Sequence, residues 1–219
     1  MIYFDNAATS RFKPRSVIRA FLKDIGHSAN GGRSGHADAV NTAIGVSNAR
    51  EIIRKLVNAE NVVFTKNCTE ALNLAIFGIV QDGGHVVTTV NEHNSVLRPL
   101  YFLAKEKRIT LTVVNPDAFG IINPYHVARL INRDTCLVAV SAASNVTGAV
   151  LDVAAVGKAC KERNVPLLID GAQAVPHINM DMAELGINYL ACPGHKGLHG
   201  FQGTGFLAIC GEKIPRPLL

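Results

Sequence analysis

Short runs of β-branched and aliphatic residues alternate along the chain with longer stretches in which apolar residues recur every three to four positions. The short runs predict strands at 62–65, 85–90, 110–114, 135–141, 165–170, 189–192 and 205–209. The longer stretches predict helices at 14–25, 38–57, 69–80, 95–107, 124–131, 153–163 and 182–185. Alternation of this kind belongs to an α/β fold, a mostly parallel sheet with crossover helices on its faces. Pro14 suits the start of the first helix, where its missing N–H has no partner to lose. Asp38 or Ser34 can cap the second helix and Asp152 the sixth, inside which Gly157 is a local weakness. Leu167-Leu168-Ile169-Asp170 is apolar and then abruptly charged, as expected of a buried parallel strand with a polar group at its carboxyl end. In open α/β sheets, ligands sit at that end.

Composition narrows the class. With 219 residues, 48% of them hydrophobic and only 18% charged, the chain can bury a large core and is not disordered. Its net charge of +5 is spread thinly. The densest basic cluster, Lys105-Glu106-Lys107-Arg108, reads as a solvated helix end rather than a nucleic-acid patch. A small basic excess does suit an anionic ligand. Five widely spaced cysteines without a C-x-x-C pair argue against a disulfide framework or a zinc site and fit a reducing, cytoplasmic setting. The opening Met-Ile-Tyr-Phe-Asp-Asn is unlike a signal peptide, and the apolar stretch at 74–80 is too short to cross a membrane. The close, Pro215-Arg216-Pro217-Leu218-Leu219, reads as an interrupted continuation.

Three stretches fall where chemistry is expected. Thr65-Lys66-Asn67-Cys68-Thr69-Glu70 runs straight into an apolar helix, and such a junction offers backbone N–H groups and a helix dipole to a phosphate. It is equally an N-cap, by Asn67 or Thr69, with nothing bound. Ile169-Asp170-Gly171-Ala172-Gln173-Ala174 places a carboxylate after a buried strand. Asp170 there either caps the next segment or meets a cation, such as the ring nitrogen of pyridoxal 5′-phosphate (PLP). Cys192-Pro193-Gly194-His195-Lys196-Gly197-Leu198-His199-Gly200 is a tight turn with a solvated lysine, or else a loop holding an amine nucleophile. Taken together, a phosphate cradle, a ring-nitrogen carboxylate and an imine lysine occur in the order expected of one PLP site.

These residues closely resemble the class V aminotransferase family, in its cysteine desulfurase and selenocysteine lyase branch. The resemblance runs from Tyr3-Phe4-Asp5-Asn6-Ala7-Ala8-Thr9 to about Ile209. It implies a PLP-dependent transferase of fold type I, with a seven-stranded, mostly parallel sheet and helices on both faces. On this division, residues 1–13 form a segment over the active site and 14–219 the PLP-binding large domain, the small carboxyl-terminal domain being absent. It also implies roles. Cys68 and Thr69 hold phosphate; His93 stacks on the pyridine face and, as a catalytic residue beside Lys196, helps move protons; Asn145 and Gln173 approach the phenolic oxygen. Asp170 takes the ring nitrogen, His195 contacts phosphate, and Lys196 forms the Schiff base. Without the resemblance, His93 reads as a helix N-terminal residue. The Asn30-Gly31-Gly32-Arg33-Ser34-Gly35-His36 loop is similar to the one that reaches a neighbouring subunit's site, so a homodimer with Arg33 and His36 near that site is expected.

The implied reaction removes sulfur from L-cysteine, or selenium from selenocysteine, to leave alanine. It proceeds through an external aldimine with Lys196 as base, and a sulfur acceptor protein is a possible partner. Two residues depart from the family's pattern. Pro193 stands where many members have a phosphate-binding serine and can donate nothing. Phe201 stands where proline is frequent. None of the five cysteines matches the family's nucleophile, and its substrate-binding arginine has no counterpart. The alternatives are therefore an inactive fragment that binds only PLP or a partner, and a class V aminotransferase or selenocysteine lyase.

Overall fold

The computed structural model describes residues 2–216. Met1 and residues 217–219, the outer ends of the two expected segments, lie outside the described residues. Seven strands form one sheet: β1 (Asn61–Thr65), β2 (Gly84–Thr89), β3 (Ile109–Val114), β4 (Thr135–Ser141), β5 (Leu167–Asp170), β6 (Tyr189–Pro193) and β7 (Gly205–Ile209). Their order across the sheet is β1-β7-β6-β5-β4-β2-β3. The pairs from β3 through to β6 are parallel, and only β7 runs against both of its neighbours. The seven helices are α1 (Arg15–Ile25), α2 (Ala37–Leu56), α3 (Cys68–Ile79), α4 (Asn94–Lys105), α5 (Pro124–Leu130), α6 (Val153–Glu162) and α7 (Met182–Leu185).

The central strands are apolar on both faces, so each contributes to two cores. Leu137, Ala139 and Leu168 pack with Ala71, Leu72 and Ile76 of α3 and with Leu100 and Leu103 of α4. Val138, Val140, Leu167 and Ile169 pack on the other side with Val127 of α5, Val156 and Cys160 of α6, and Met182 of α7. Each fully buried leucine or isoleucine stabilises the fold by about 1.5–3 kcal/mol. Gly157, which weakens α6 as an isolated helix, is required by packing: a Cβ there would overlap the Leu185 carbonyl oxygen.

Local signals placed most elements within two residues. The fifth strand begins at Leu167 rather than Val165, because Pro166 has no N–H to give a ladder. The capping of α2 is corrected. Its N-cap position is His36, whose side chain makes no cap bond, while Asp38 lies in the first turn, a favourable place beside the positive end of the helix. Asp152 caps α6 as expected, accepting from the Ala155 N–H.

Candidate active site

A cavity of about 240 Å³ opens at the carboxyl ends of β4, β5 and β6, against the first turn of α3. That is slightly below the usual range of about 300–1,000 Å³ for small-molecule pockets. All eight side chains expected to serve a cofactor line it. Cys68 and Thr69 open α3, and His93 precedes α4. Asn145 follows β4; Asp170 ends β5, with Gln173 just beyond; His195 and Lys196 follow β6. Arg33 and His36 are exposed and do not line this cavity.

At the start of α3 the cap is Asn67, not Thr69: its side chain accepts from the Glu70 N–H at 2.8 Å. Glu70 in turn accepts from the Lys66 N–H at 2.6 Å, which pins the strand-to-helix turn. The N–H groups of Cys68 and Thr69 have no partner within a helix that starts there, so the turn presents donors to the cavity. Gly205 lets this turn pass, since a Cβ would sit 2.6 Å from the Asn67 carbonyl carbon. The Thr69 hydroxyl lies 2.7 Å from that of Ser95, itself 2.8 Å from His93 Nδ1.

His93 caps α4, so the local reading of this residue also holds: Nδ1 accepts from the Ser95 N–H at 3.1 Å. A backbone N–H can only donate, so the neutral ring carries its proton on Nε2.

Asp170 is buried at 5% exposure at the cavity floor. It accepts from the Ala172 N–H at 2.9 Å and from the Cys68 thiol at 3.6 Å. Burial pushes its carboxyl above the usual range, partly offset by the Ala172 bond and by the charge of Lys196. A carboxyl in this state gains most from a fixed cation beside it. Gln173 donates one amide N–H to the Ala7 carbonyl at 2.9 Å, keeping its second for the cavity. Pro193, buried at the end of β6, brings no donor. Phe201 packs against Phe21 of α1, with ring centroids 4.5 Å apart and planes tilted by 39°, and so anchors the end of the lysine loop.

Three polar residues were not found from the sequence. Ser95 and Ser141 line the cavity. Glu92 lies buried behind Ser141, accepting from Thr89 Oγ1 and Ser141 Oγ, each at 2.6 Å. No local signal finds Glu92: Thr89-Val90-Asn91-Glu92 has the spacing of a helix start, yet α4 begins only at Asn94, with His93 as its N-cap. Burial drives the Glu92 pKa up to about 7 against the pull of these hydrogen bonds. The folded chain therefore binds a proton that the unfolded chain releases near pH 4.5. Stability from this group is full below that pH and is lost as pH rises through about 7. The expected loss is about 3 kcal/mol, and Glu92→Gln should flatten this part of the profile in urea melts run at several pH values.

The five cysteines are free thiols. Burial pushes Cys68 and Cys192 well above the usual thiol range, Cys160 up to about 12, and Cys210 upward as well. These four are poor nucleophiles, which need the thiolate. Among the described residues, no group of three or more His, Cys, Asp or Glu side chains could hold a metal ion, and no helix is long and apolar enough to cross a membrane.

The aminotransferase class-V family model matches residues 2–216. A probable cysteine desulfurase of Borreliella burgdorferi is 34% identical over 218 residues, spanning 95% of this chain and 51% of the relative. The apo structure of a cysteine desulfurase from Thermococcus onnurineus superposes with a TM-score of 0.88 at 33% identity, over 95% of this chain and 53% of that one. A structure described as SspA in complex with cysteine gives a TM-score of 0.91 at 29% identity, over 100% of this chain and 65% of that one. The chain thus spans about half the length of the curated relatives it matches.

Proposed function

The chain belongs to the class-V aminotransferase family, and from that premise we propose that it carries PLP on Lys196 and serves the desulfuration of L-cysteine to alanine. One observation carries the reading: an amine, Lys196, and a buried carboxyl, Asp170, face one cavity whose further wall is a helix N-terminus. Such a set fits PLP part by part. Asp170 would pair with the cationic ring nitrogen, relieving the desolvation that now raises its pKa. The α3 N–H groups, Thr69, Cys68 and His195 would hold the phosphate. The free N–H of Gln173 and the amide of Asn145 would take the phenolic oxygen, and His93 the ring face. PLP, when bound, supplies an electron sink that makes the Cα proton of an amino acid acidic. Lys196 is the base that removes this proton, and the cavity limits water at that atom.

The sulfur passes to a thiol other than Cys68 and Cys192, or to an acceptor protein, because these two buried thiols are held protonated. Those thiols favour a second reading, a chain that binds PLP or a partner without completing turnover. Selenocysteine fits the same site. We place Arg33 and His36 near the neighbouring site of a homodimer, since both are exposed and neither lines this cavity. In this scheme residues 1–13 cover a site built on 14–219, in a cytoplasmic setting that keeps the thiols reduced. The reading is tested by incubating the chain with PLP, reducing with borohydride and mapping the labelled peptide. Stoichiometric label on Lys196 is expected; PLP that elutes wholly apart from the protein rejects it.

A further inference from the structure

The carbonyl oxygen of His195 has four donor groups of the amino-terminal segment within hydrogen-bond reach, nearly the full length of the chain away. The Ser10 N–H lies at 3.0 Å, Ser10 Oγ at 2.9 Å, Thr9 Oγ1 at 3.2 Å and Lys13 Nζ at 3.3 Å. Lys13 also donates to Ser10 Oγ at 2.6 Å, leaving that hydroxyl's own proton for the carbonyl. Among the described residues, no carboxylate forms an ion pair with Lys13. Its charge is therefore spent on this carbonyl and on the neighbouring hydroxyl. Ser10 is buried at 6% exposure, although the residues on either side of it are more open.

The position of that carbonyl matters because its peptide plane is shared with Lys196. On the far side, Gly200 N–H bonds the Gly194 carbonyl at 2.7 Å and His199 N–H the Lys196 carbonyl at 2.9 Å. The lysine loop is thus closed by its own bonds on one side and gripped by the amino-terminal segment on the other. The grip also reaches the imidazole. Thr9 Oγ1 lies 3.0 Å from His195 Nδ1, nearer than the 3.2 Å to the carbonyl, which already has three other donors. A hydroxyl has one proton to give; directed at Nδ1 rather than at the carbonyl, it leaves the single proton of a neutral ring on Nε2. Burial and the charges of Lys196 and Lys13 lower the His195 pKa, which keeps the ring neutral.

We propose that Thr9, Ser10 and Lys13 are positioning residues, a clasp that fixes the Lys196 peptide plane and holds His195 in the Nε2–H tautomer that donates into the cavity. The clasp rests on the PLP reading for its purpose, but not for its existence. Two measurements separate the two ideas. Nitrogen-15 NMR of the chain without cofactor reports the His195 tautomer, with the signal assigned through His195→Gln. The Nε2–H form is expected in the parent, and a mixture of tautomers in Thr9→Val. In the PLP-loaded chain, Lys13→Met and Thr9→Val should each release PLP about ten-fold faster, as expected for loss of one hydrogen bond to a charged or buried group. Lys13→Arg and Thr9→Ser should keep the parent rate, because each retains its donor. Parent release rates in both Lys13→Met and Thr9→Val, or an unchanged tautomer in Thr9→Val, would overturn the clasp. A parent that takes up no PLP rejects the cofactor reading instead, and the tautomer measurement still decides the clasp.

Discussion

Replacing Lys196 with alanine should leave a folded chain that no longer retains PLP through gel filtration and forms no measurable alanine from L-cysteine. On the proposed reading two roles vanish together, the covalent hold on the cofactor and the base at Cα. A positioned general base alone contributes about 10²–10⁴-fold in rate, so turnover should fall by at least that factor. Folding should survive, because Lys196 is half-buried in a loop whose closure uses backbone groups of Gly194, His199 and Gly200. Lys196→Arg sharpens the test: it restores a cation near Asp170 but offers no amine able to attack a carbonyl at neutral pH. Absorbance of protein-bound PLP and alanine assays on both variants check the result. Retained turnover in Lys196→Ala would move the chemistry to another residue.

Asp170→Asn should separate stability from activity. In the cofactor-free chain this carboxyl is buried with its pKa raised, so it contributes stability at low pH that is lost as pH rises through the shifted value. Asparagine keeps an acceptor for the Ala172 N–H without a charge to desolvate. The cofactor-free variant should therefore melt no lower than the parent at pH 8, and its melting temperature should vary less with pH. Turnover of the loaded variant should fall by about 10²–10³, the usual scale for losing a fixed charge aimed at the reacting centre. Opposite signs are expected because a group poised for a cationic ligand is a burden when that ligand is absent. Melting curves across pH, with kcat measured on the loaded proteins, examine both halves. An Asn variant with parental kcat would show that Asp170 does not serve the ring nitrogen.

The elements were legible because their signals are local. Asn67 and Asp152 announce helix starts, and Leu167-Leu168-Ile169 announces a strand buried on both faces before Asp170 ends it. Local signals also had limits. His36 rather than Asp38 stands at the N-cap of α2, and Gly157 looks like a flaw until Leu185 is packed against it. His93 satisfied both of its readings at once, as helix cap and cavity wall.

The sequence by itself determined the α/β class, the strand and helix order, and the eight side chains that the family resemblance assigns to a cofactor. Periodicity, caps and motifs extend over only a few residues, and these features need nothing more. Tertiary structure alone decided that β7 runs against its neighbours beside β1, which sets the Gly205 start of that strand against the Asn67 turn. It alone set Glu92 behind Ser141, 49 residues away, and brought Thr9, Ser10 and Lys13 to His195 across 182 to 186 residues. Strand order and register govern which loops meet at the carboxyl ends of the sheet. A period of two along each strand records which face a side chain takes, and carries no trace of which strand lies beside it.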